Sequence, residues 1–228
     1  PSDAVSTVAK QCNRTAIEEI VITSGTSIGD SAFYGCSGLT SIIIPDSVTS
    51  IGDSAFLNCN GLMSVAIPNS VTSIGSLAFY GCDNLQNIYI ANIVAWCNIS
   101  GLDNLMRYGA SDKNLYLSNE LVTSVSIPNK VTTIPSYAFY GCDSIESITI
   151  SDGVTSVGSS AFSSCNLTKI TGPCDAVSTV AKQCDSNSVE EIVITSGTSI
   201  DDYAFCDCSG LTSIIIPDSV TSIGDSAF

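Results

Sequence analysis

The sequence is organised around an 18-residue motif that recurs along its length. The motif reads L-T-S-I-I-I-P-D-S-V-T-S-I-G-D-S-A-F from Leu39 to Phe56, has a close relative from Leu62 to Phe79, and returns from Leu211 to Phe228. One copy of this length cannot bury its own apolar face. Stacked copies place each apolar side chain on its counterpart, so the motif predicts a continuous core along a stack of coils.

The spacing of the motif sets the length of each coil. Between the first apolar residues of successive I-x-I triplets, the intervals are 22, 23, 23, 37, 23, 22, 22 and 22 residues. The alternation within each triplet predicts a short strand with one buried face, and the proline that often follows ends it. The V-T-S-I-G run predicts a second short strand on the opposite side of the coil. The nine marker residues are Ile20, Ile42, Val65, Ile88, Val125, Ile148, Ile170, Ile192 and Ile214.

A longer repeat is superimposed on the short one. Residues 1–56 match residues 173–228 at an offset of 172, with ten differences. In both copies the segment D-A-V-S-T-V-A-K-Q-C stands where other coils have their second strand. We predict a short helix there, on the convex side of the coil, with Asp3 or Asp175 as its N-cap.

The 37-residue interval predicts a long irregular coil over residues 91–121. Its I-V-A-W-C segment, Ile93–Cys97, predicts a helix of one to two turns that Trp96 packs onto the stack. A polar loop follows, and the L-Y-L segment at Leu115–Leu117 predicts an extra strand. We therefore expect one solenoid domain over residues 1–228 that is mainly β, with short helical segments.

Charge and composition exclude several classes of function. The formal net charge of −15 disfavours nucleic acids and anionic membranes as partners, because both would be repelled. No apolar run approaches the roughly 18 residues that a membrane span needs. The sequence has no histidine, so the most common general base and zinc ligand are missing. We predict no catalytic residue, no cofactor and no metal.

The sequence has eleven cysteines, and most of them share one position in the coil. Side chains stacked at one position point inward together, which favours a ladder of buried free thiols over disulfides. A disulfide between Cys174 and Cys206, which replace Ser2 and Tyr34 of the first copy, remains an alternative. A zinc site at Cys206 and Cys208 lacks further ligands at a suitable spacing. The predicted ladder consists of Cys12, Cys36, Cys59, Cys82, Cys142, Cys165, Cys184 and Cys208.

Aspartates also share positions in the coil. Stacked carboxylates could hold calcium. Ser76, Ser159 and Asn69 interrupt the rows, which favours solvated turn residues instead. The two rows are Asp30, Asp53 and Asp225, and Asp46, Asp152 and Asp218.

The outward positions of the first strands are the candidate binding surface. They line the sheet that usually forms the concave face of a repeat array, and several are more apolar than solubility requires. Single exposed apolar residues are also common on sheets, so side chains that merely suit a strand are the alternative. The candidate ligand-binding residues are Val21, Ile43, Tyr89, Lys169 and Ile215.

These motifs resemble the BspA-like class of leucine-rich repeats. The carrying elements are L-x-x-I-x-I-P, V-T-S-I-G, A-F and G-C at a 23-residue step, and A-W-C-N-I followed by L-Y-L-S-N-E-L is similar to a variant coil of that class. The resemblance implies a right-handed leucine-rich-repeat solenoid of about nine coils, on surface proteins of anaerobic and mucosal microbes. It implies adhesion to host or matrix proteins or to other cells, and it supplies no catalytic motif.

We therefore predict a non-enzymatic, extracellular module, either on the cell surface or secreted. Its extended sheet face would bind a host or matrix protein, or a glycan. The alternative is a structural repeat that associates end to end into filaments, because neither end of the sequence carries a polar cap and the two ends match in phase.

Overall fold

The computed structural model describes residues 13–185 and 187–228. Within it the chain winds in coils, most of which contribute a strand to a first row and a two-residue strand to a second row. The coils fall into two compact units, one ending at Leu121 and the other beginning at Val122. That the two units form one continuous solenoid over residues 1–228 stays a prediction.

The first unit contains two rows of parallel strands and a short hairpin. In the first row β1 pairs with β3, while β5, β7, β8 and β9 form a four-stranded sheet in which only β9 is antiparallel. In the second row β2, β4 and β6 are parallel neighbours. The strands are β1 Glu19–Val21, β2 Ser27–Ile28, β3 Ser41–Ile43, β4 Ser50–Ile51, β5 Ser64–Ala66, β6 Ser73–Ile74, β7 Asn87–Ile90, β8 Asn114–Leu117 and β9 Glu120–Leu121; the helices are α1 Ile93–Cys97 and α2 Asp103–Met106.

The second unit has the same plan with a helix inserted in its second row. Its first row is a five-stranded parallel sheet in the order β10, β12, β14, β15, β17. In the second row β11 pairs with β13 and β16 with β18, and helix α3 contacts β13 and β16 where a second strand would otherwise lie. The elements are β10 Ser124–Ile127, β11 Thr133–Ile134, β12 Ser147–Ile150, β13 Ser156–Val157, β14 Lys169–Gly172, α3 Cys174–Ala181, β15 Glu191–Ile194, β16 Ser199–Ile200, β17 Ser213–Ile215 and β18 Ser222–Ile223.

The register of the strands places like residues on like. Ile148 lies beside Ile170, and Ile170 lies beside Ile192, so the marker residues form a column within each unit. Because the side chains alternate, this column faces the core and the residue after it faces outward. The predicted fold, a mainly β solenoid of about nine coils with a few short helices, is confirmed.

The phenylalanines of the A-F segments also stack. Phe33, Phe56 and Phe79 are buried in succession with ring centroids 5.3 and 5.0 Å apart, and Phe139 and Phe162 are 5.1 Å apart in the second unit. These separations are close to the spacing of about 4.8 Å between hydrogen-bonded strands. The ring column therefore follows directly from the step of the coil.

The ladder cysteines are hydrogen-bonded to the phenylalanine column. The thiol of Cys59 donates to the carbonyl oxygen of Phe33 at 3.1 Å, and the thiols of Cys82 and Cys165 make the matching contacts to Phe56 and Phe139 at 3.1 and 3.0 Å. Each thiol thus joins its own coil to the one before it. A cysteine fits this place because it is small and apolar yet still offers a donor to a buried carbonyl group.

Two irregular coils supply acceptors for the backbone N–H groups of the preceding coil by other means. In regular coils the Phe N–H donates to the alanine carbonyl of the next coil, as Phe139 does to Ala161 at 2.8 Å. Where helix α3 interrupts the pattern, the side chain of Gln183 accepts from the Phe162 N–H at 3.2 Å instead. In the 91–121 coil, the backbone and side-chain oxygens of Asn104 accept from Phe79 and Leu77.

The helices differ in part from their predictions. Helix α1 occupies the predicted residues, and Trp96 is 1% exposed. The prediction of Asp175 as N-cap is wrong: Pro173 holds that place and Asp175 lies in the first turn, where its negative charge complements the helix dipole. The predicted N-cap Asp3 lies outside the described residues.

The polar loop predicted after Cys97 is also wrong in part, because helix α2 forms within it. The apolar residues Leu102, Leu105 and Met106 in this segment are buried. Their spacing of three and four residues places them on one face of a helical turn, although polar neighbours conceal the pattern.

Aspartates of the S-I-G-D segments bond to the neighbouring coil. Asp30 accepts a hydrogen bond from the backbone N–H of Asp53 at 2.9 Å, and Asp53 accepts one from Ser76 at 2.7 Å. The interpretation of this row as merely solvated is therefore incomplete. A Cβ on Gly52 would meet the Asp30 carboxylate and would lie 2.7 Å from the Asp30 nitrogen, so the neighbouring coil requires glycine there.

Burial raises the pKa of the inner thiols. Burial, followed by the charge of Cys59, raises the pKa of Cys36 to about 11, and burial alone raises that of Cys97 to about 12. For Cys59 the hydrogen bond with Cys82 raises the pKa most, and burial adds to it. Burial also raises the pKa of Cys165. These groups are therefore neutral thiols near neutral pH.

Replacing Gly52 by alanine is expected to lower the free energy of unfolding by about 2 kcal/mol, the usual range for overpacking. Urea unfolding followed by circular dichroism measures the change. The matched control is Gly29→Asp, where a Cβ would meet no described atom within 4 Å and where the second copy already carries Asp201. We expect the control to stay within about 0.5 kcal/mol of the parent chain. Equal stability of the Gly52→Ala variant and the parent would contradict the proposed steric requirement.

Stability is expected to fall in alkaline solution, because the unfolded chain releases thiol protons that the folded state retains. Cys97 has a pKa of about 12 when folded against 9.0 as an ordinary cysteine, so the folded state holds the proton more tightly. Its contribution is intact below pH 9 and is lost between pH 9 and 12, at about 1.4 kcal/mol per pH unit. From pH 8 to 10, a Cys97→Ala variant should therefore lose about 1.4 kcal/mol less than the parent chain.

Urea unfolding at the two pH values measures this difference. Cys206→Ala is the control, because it removes an exposed thiol. If the parent and the Cys97→Ala variant lose stability equally over this range, the assignment of a buried neutral thiol at Cys97 is wrong.

Candidate functional site

The outward side of the first strand row carries the sequence-predicted binding residues. Val21 and Ile43 in the first unit are 48% and 53% exposed, and they are neighbours in the register of β1 and β3. Tyr89 on β7 is half-buried. Lys169 and Ile215 lie in the second unit, so the five predicted residues are divided between the two units.

The largest aromatic feature of this surface is a pair of stacked tyrosines. The rings of Tyr89 and Tyr116 are 4.6 Å apart and inclined by 15°. Beside them the Asn114 side chain donates to the Asn87 side chain at 3.0 Å, which holds β8 in register with β7. Leu121 lies opposite Tyr116 across the β8–β9 hairpin and is 44% exposed. We call Tyr89, Tyr116 and Leu121 the tyrosine patch.

Tyr116 and Leu121 were missed from the sequence as part of this surface. The segment containing Tyr116 was predicted as an extra strand, but its register was not assigned. A signal was present, because N-I-Y-I at residues 87–90 and N-L-Y-L at residues 114–117 carry the same residue types in the same order. Aligning these two segments would have placed Tyr116 beside Tyr89.

Lys169 is engaged in an ion pair. Its ammonium nitrogen lies 2.9 Å from a carboxylate oxygen of Glu191, the residue beside it in the sheet. Both side chains are partly exposed, so the pair contributes only about 0–1 kcal/mol to stability. A ligand reaching Lys169 would have to compete with this carboxylate, which makes Lys169 a weaker candidate than the apolar residues.

The predicted cysteine ladder divides into buried and half-buried members. Five of its residues are 0% exposed, whereas Cys184 and Cys208 are only half-buried, and Cys12 lies outside the described residues. The fully buried members are Cys36, Cys59, Cys82, Cys142 and Cys165.

Cys184, Cys206 and Cys208 line one groove of the second unit. Burial, followed by the charge of Cys208, raises the pKa of Cys184 to about 12. The alternative disulfide between Cys174 and Cys206 does not form, since Cys174 is buried and Cys206 is exposed. Across residues 13–185 and 187–228 the cysteines form no disulfides.

The described part of the chain offers neither a cluster of metal ligands nor a membrane-spanning helix. It holds no group of three or more cysteine, aspartate or glutamate side chains suited to a metal ion. None of its helices is long and apolar enough to cross a membrane. In the second aspartate row, Asp152 accepts hydrogen bonds from Ser196 at 2.7 Å and Thr195 at 3.2 Å.

The chain is similar to several solved leucine-rich repeat structures. A leucine rich cell surface protein of Faecalibacterium prausnitzii is 29% identical over 92% of this chain and 60% of its own, with a TM-score of 0.45. A leucine-rich repeat protein of Bacteroides ovatus is 26% identical over 91% of this chain and 57% of its own, with a TM-score of 0.41. The pneumococcal vaccine antigen PcpA is 21% identical over 91% and 58%, with a TM-score of 0.37. The chain thus spans about 60% of the length of these solved relatives.

The repeat itself identifies the family. No curated protein matches the chain. The family model for the BspA type leucine rich repeat region matches residues 8–100 and 112–228 in six copies. These ranges include the regular coils and leave out residues 1–7 and part of the irregular coil. Together with the stacked coils and their phenylalanine columns, this match shows that the chain belongs to the BspA-type leucine-rich repeat family.

Proposed function

We propose that this chain is a non-enzymatic binding module, on the cell surface or secreted, that attaches to another protein through the outward face of its first strand row. The observation that carries the proposal is the apolar and aromatic character of that face in the first unit. Val21 and Ile43 are about half exposed there, and Tyr89 and Tyr116 form a stacked pair. Host or matrix proteins are the proposed partners, and a glycan is the alternative ligand.

The face suits binding because it is already ordered. Backbone hydrogen bonds fix Val21, Ile43 and Tyr89 on parallel strands, and Tyr116 is fixed by stacking on Tyr89. Ordering flexible side chains and loops is a major cost of association, and a rigid sheet lowers this cost. Tyrosine is also enriched in the parts of interfaces that contribute most to affinity.

Charge adds to the specificity of the proposed contact. The chain carries a net charge of −15, so a partner with a basic surface would be attracted and an acidic one repelled. The extracellular setting is supported by the family, whose resemblance implies surface proteins of microbes. A non-enzymatic role is supported by the lack of histidine in the sequence.

Introducing a charge on the outward face is expected to weaken binding. Ile43→Asp and Tyr89→Asp variants should each weaken capture of a matrix protein at least about tenfold, because a buried unpaired carboxylate at an interface costs more than 1.4 kcal/mol. Surface plasmon resonance against a panel of immobilised matrix proteins, namely collagen, laminin, fibrinogen and fibronectin, measures this.

Leu77→Asp is the matched control. Leu77 is 42% exposed in the first unit but lies in the turn before Phe79, away from the strand face. It should bind like the parent chain. If the Ile43→Asp and Tyr89→Asp variants bind like the parent chain and the control, or if the parent binds no member of the panel, binding of such proteins through this face is excluded.

Self-association is a second candidate, and the register of the strands is the observation that favours it. Neighbouring coils stack like residues on like, as Ile148 on Ile170 and Ile170 on Ile192. A coil of a second copy has the same spacing and would stack on such a coil in the same way. Contacts of this head-to-tail kind do not close on themselves and lead to filaments.

Sedimentation over a wide concentration range distinguishes the two candidates. Filament growth should appear as a sedimentation coefficient that rises with concentration. A coefficient that stays constant across the range excludes self-assembly and leaves the outward-face proposal unaffected.

A further inference from the structure

The outward face of the first unit contains a gap beside the tyrosine patch. Ala66 lies next to Tyr89 in the register of β5 and β7, and its methyl group is too small to cover the neighbouring ring. On the other side of Ala66, Ile43 holds the same coil position on β3, which contacts β5. We call this gap the Ala66 slot, with Ala66 as its floor and Ile43 and Tyr89 as its walls.

One face of the Tyr89 ring is turned towards this slot. The ring of Tyr116 covers the opposite face, since the two ring centroids are 4.6 Å apart and their planes are inclined by only 15°. Ala66 is exposed, so solvent reaches the gap above it. The face of an aromatic ring is partly negative and attracts the weakly positive hydrogens of C–H groups. The slot therefore offers a stacking surface to a ligand ring that carries C–H groups on its face.

The width of the slot suits a single ring. Ile43 and Tyr89 are two coils apart, which is about 9.6 Å at a strand spacing of about 4.8 Å. A ligand layer in contact with both walls needs about 7–8 Å, twice the usual contact distance of about 3.5–4.0 Å between carbon atoms. The remaining space allows for a puckered ring, which is thicker than a flat aromatic one. A saturated six-membered ring therefore fits between the walls.

A pair of amides lies on the same face of the sheet, next to the slot. Asn87 and Tyr89 are two residues apart on β7, so their side chains point to the same side, about 6.6 Å from each other. The Asn114 side chain donates to the Asn87 side-chain oxygen at 3.0 Å. Among the residues that the structure describes, the two amides make no other side-chain hydrogen bond. The Asn87 NH₂ group can thus donate to a ligand, and the Asn114 oxygen beside it can accept.

The outward positions around the slot are uncharged, although the chain has a net charge of −15. An anionic ligand would be repelled by the chain as a whole, and a cationic one would meet no opposite charge at these positions. A neutral ligand needs no opposite charge, and hydroxyl groups match the amide pair because each hydroxyl both donates and accepts. The outward residues of β5, β7 and β8 are Ser64, Ala66, Asn87, Tyr89, Asn114 and Tyr116.

We infer that the Ala66 slot binds a neutral sugar, a hexopyranose without a carboxylate or phosphate group. One C–H face of the sugar ring stacks on Tyr89, and Ile43 covers the other. Two neighbouring hydroxyl groups bond to the amides of Asn87 and Asn114. The inference rests on the proposed function in that it uses the same outward face, and it names the class of glycan that this face takes.

The second unit has a corresponding strand row with other side chains. The neighbouring outward residues Thr149 and Thr171, on β12 and β14, provide no aromatic ring. At the coil position of Asn87, Lys169 and Glu191 form an ion pair instead of a pair of amides. The slot is therefore a property of the coils around Ala66 and does not follow from the repeat alone.

Saturation-transfer NMR, followed by titration, tests the inference with three probes. Methyl β-D-glucoside and methyl α-D-mannoside are the neutral probes, and methyl β-D-glucuronide is the charged one. At least one neutral glycoside should bind with a Kd on the order of 1–10 mM. It should bind at least about fivefold more tightly than the glucuronide, because the chain repels the carboxylate.

Ala66→Ile is the decisive variant, because it fills the slot and removes no group that contacts the ligand. The strand accepts isoleucine at this coil position, as Ile43 shows. The variant should weaken binding of the neutral sugar at least about tenfold. Tyr89→Ala should weaken it about tenfold and Asn87→Ala about fivefold. The control is Tyr80→Ala, which removes a half-exposed tyrosine outside this strand row and should bind like the parent chain.

Thermal unfolding of each variant checks that it is folded. The inference is overturned if neither neutral glycoside binds, or if the Ala66→Ile variant binds like the parent chain. Equal or tighter binding of the glucuronide overturns the neutral class. Capture of a matrix protein without sugar binding overturns this inference alone, whereas sugar binding without such capture overturns the protein-binding proposal alone.

Discussion

The structure depends on hydrogen bonds that each coil can make only with its neighbours. A coil is too short to satisfy its own backbone groups, and an unpaired buried group costs about 1–3 kcal/mol. Phe139 illustrates this, because its backbone N–H group donates to the carbonyl oxygen of Ala161 in the next coil. Where the next coil is irregular, Gln183 and Asn104 supply oxygens from their side chains or backbone at the same place. These two residues allow departures from the repeat without an unpaired donor.

The same requirement explains a repeated backbone conformation. The residue before each A-F pair has a positive φ although it is not glycine, with values of 54° at Ser31, 56° at Leu77 and 62° at Tyr137. This conformation costs roughly 1–2 kcal/mol per residue. It persists because the N–H group of this residue then donates to a backbone carbonyl of the next coil. Ser31 donates to the Asp53 carbonyl at 2.8 Å, and Tyr137 donates to the Ser159 carbonyl at 3.1 Å. Local strain is thus balanced by bonding between coils.

Most of the fold could be predicted from the sequence, because its period is visible in single residues. The marker isoleucines and the phenylalanines recur at a fixed step, and a fixed step is what stacking requires. Helix α2 could not be predicted, since Leu102, Leu105 and Met106 are hidden among polar residues. The pairing of Gly52 with Asp30 was equally hidden, because it joins residues 22 positions apart in different coils. Outward residues such as Ile43 could be identified by alternation, but alternation carries no information about what binds them.

The glycine–aspartate contact between coils has a consequence for how such an array can lengthen. Asp201 stands where most coils have glycine, and it is accommodated because helix α3, not a second strand with its aspartate, precedes it. If the coil that contains Asp201 followed a regular coil, the Asp201 side chain would clash with the aspartate carboxylate of that preceding coil. Duplication of the whole 172-residue block carries the helix along with its successor and avoids the clash. We therefore expect such an array to lengthen by complete blocks, because a duplication that separates these two coils would introduce the clash.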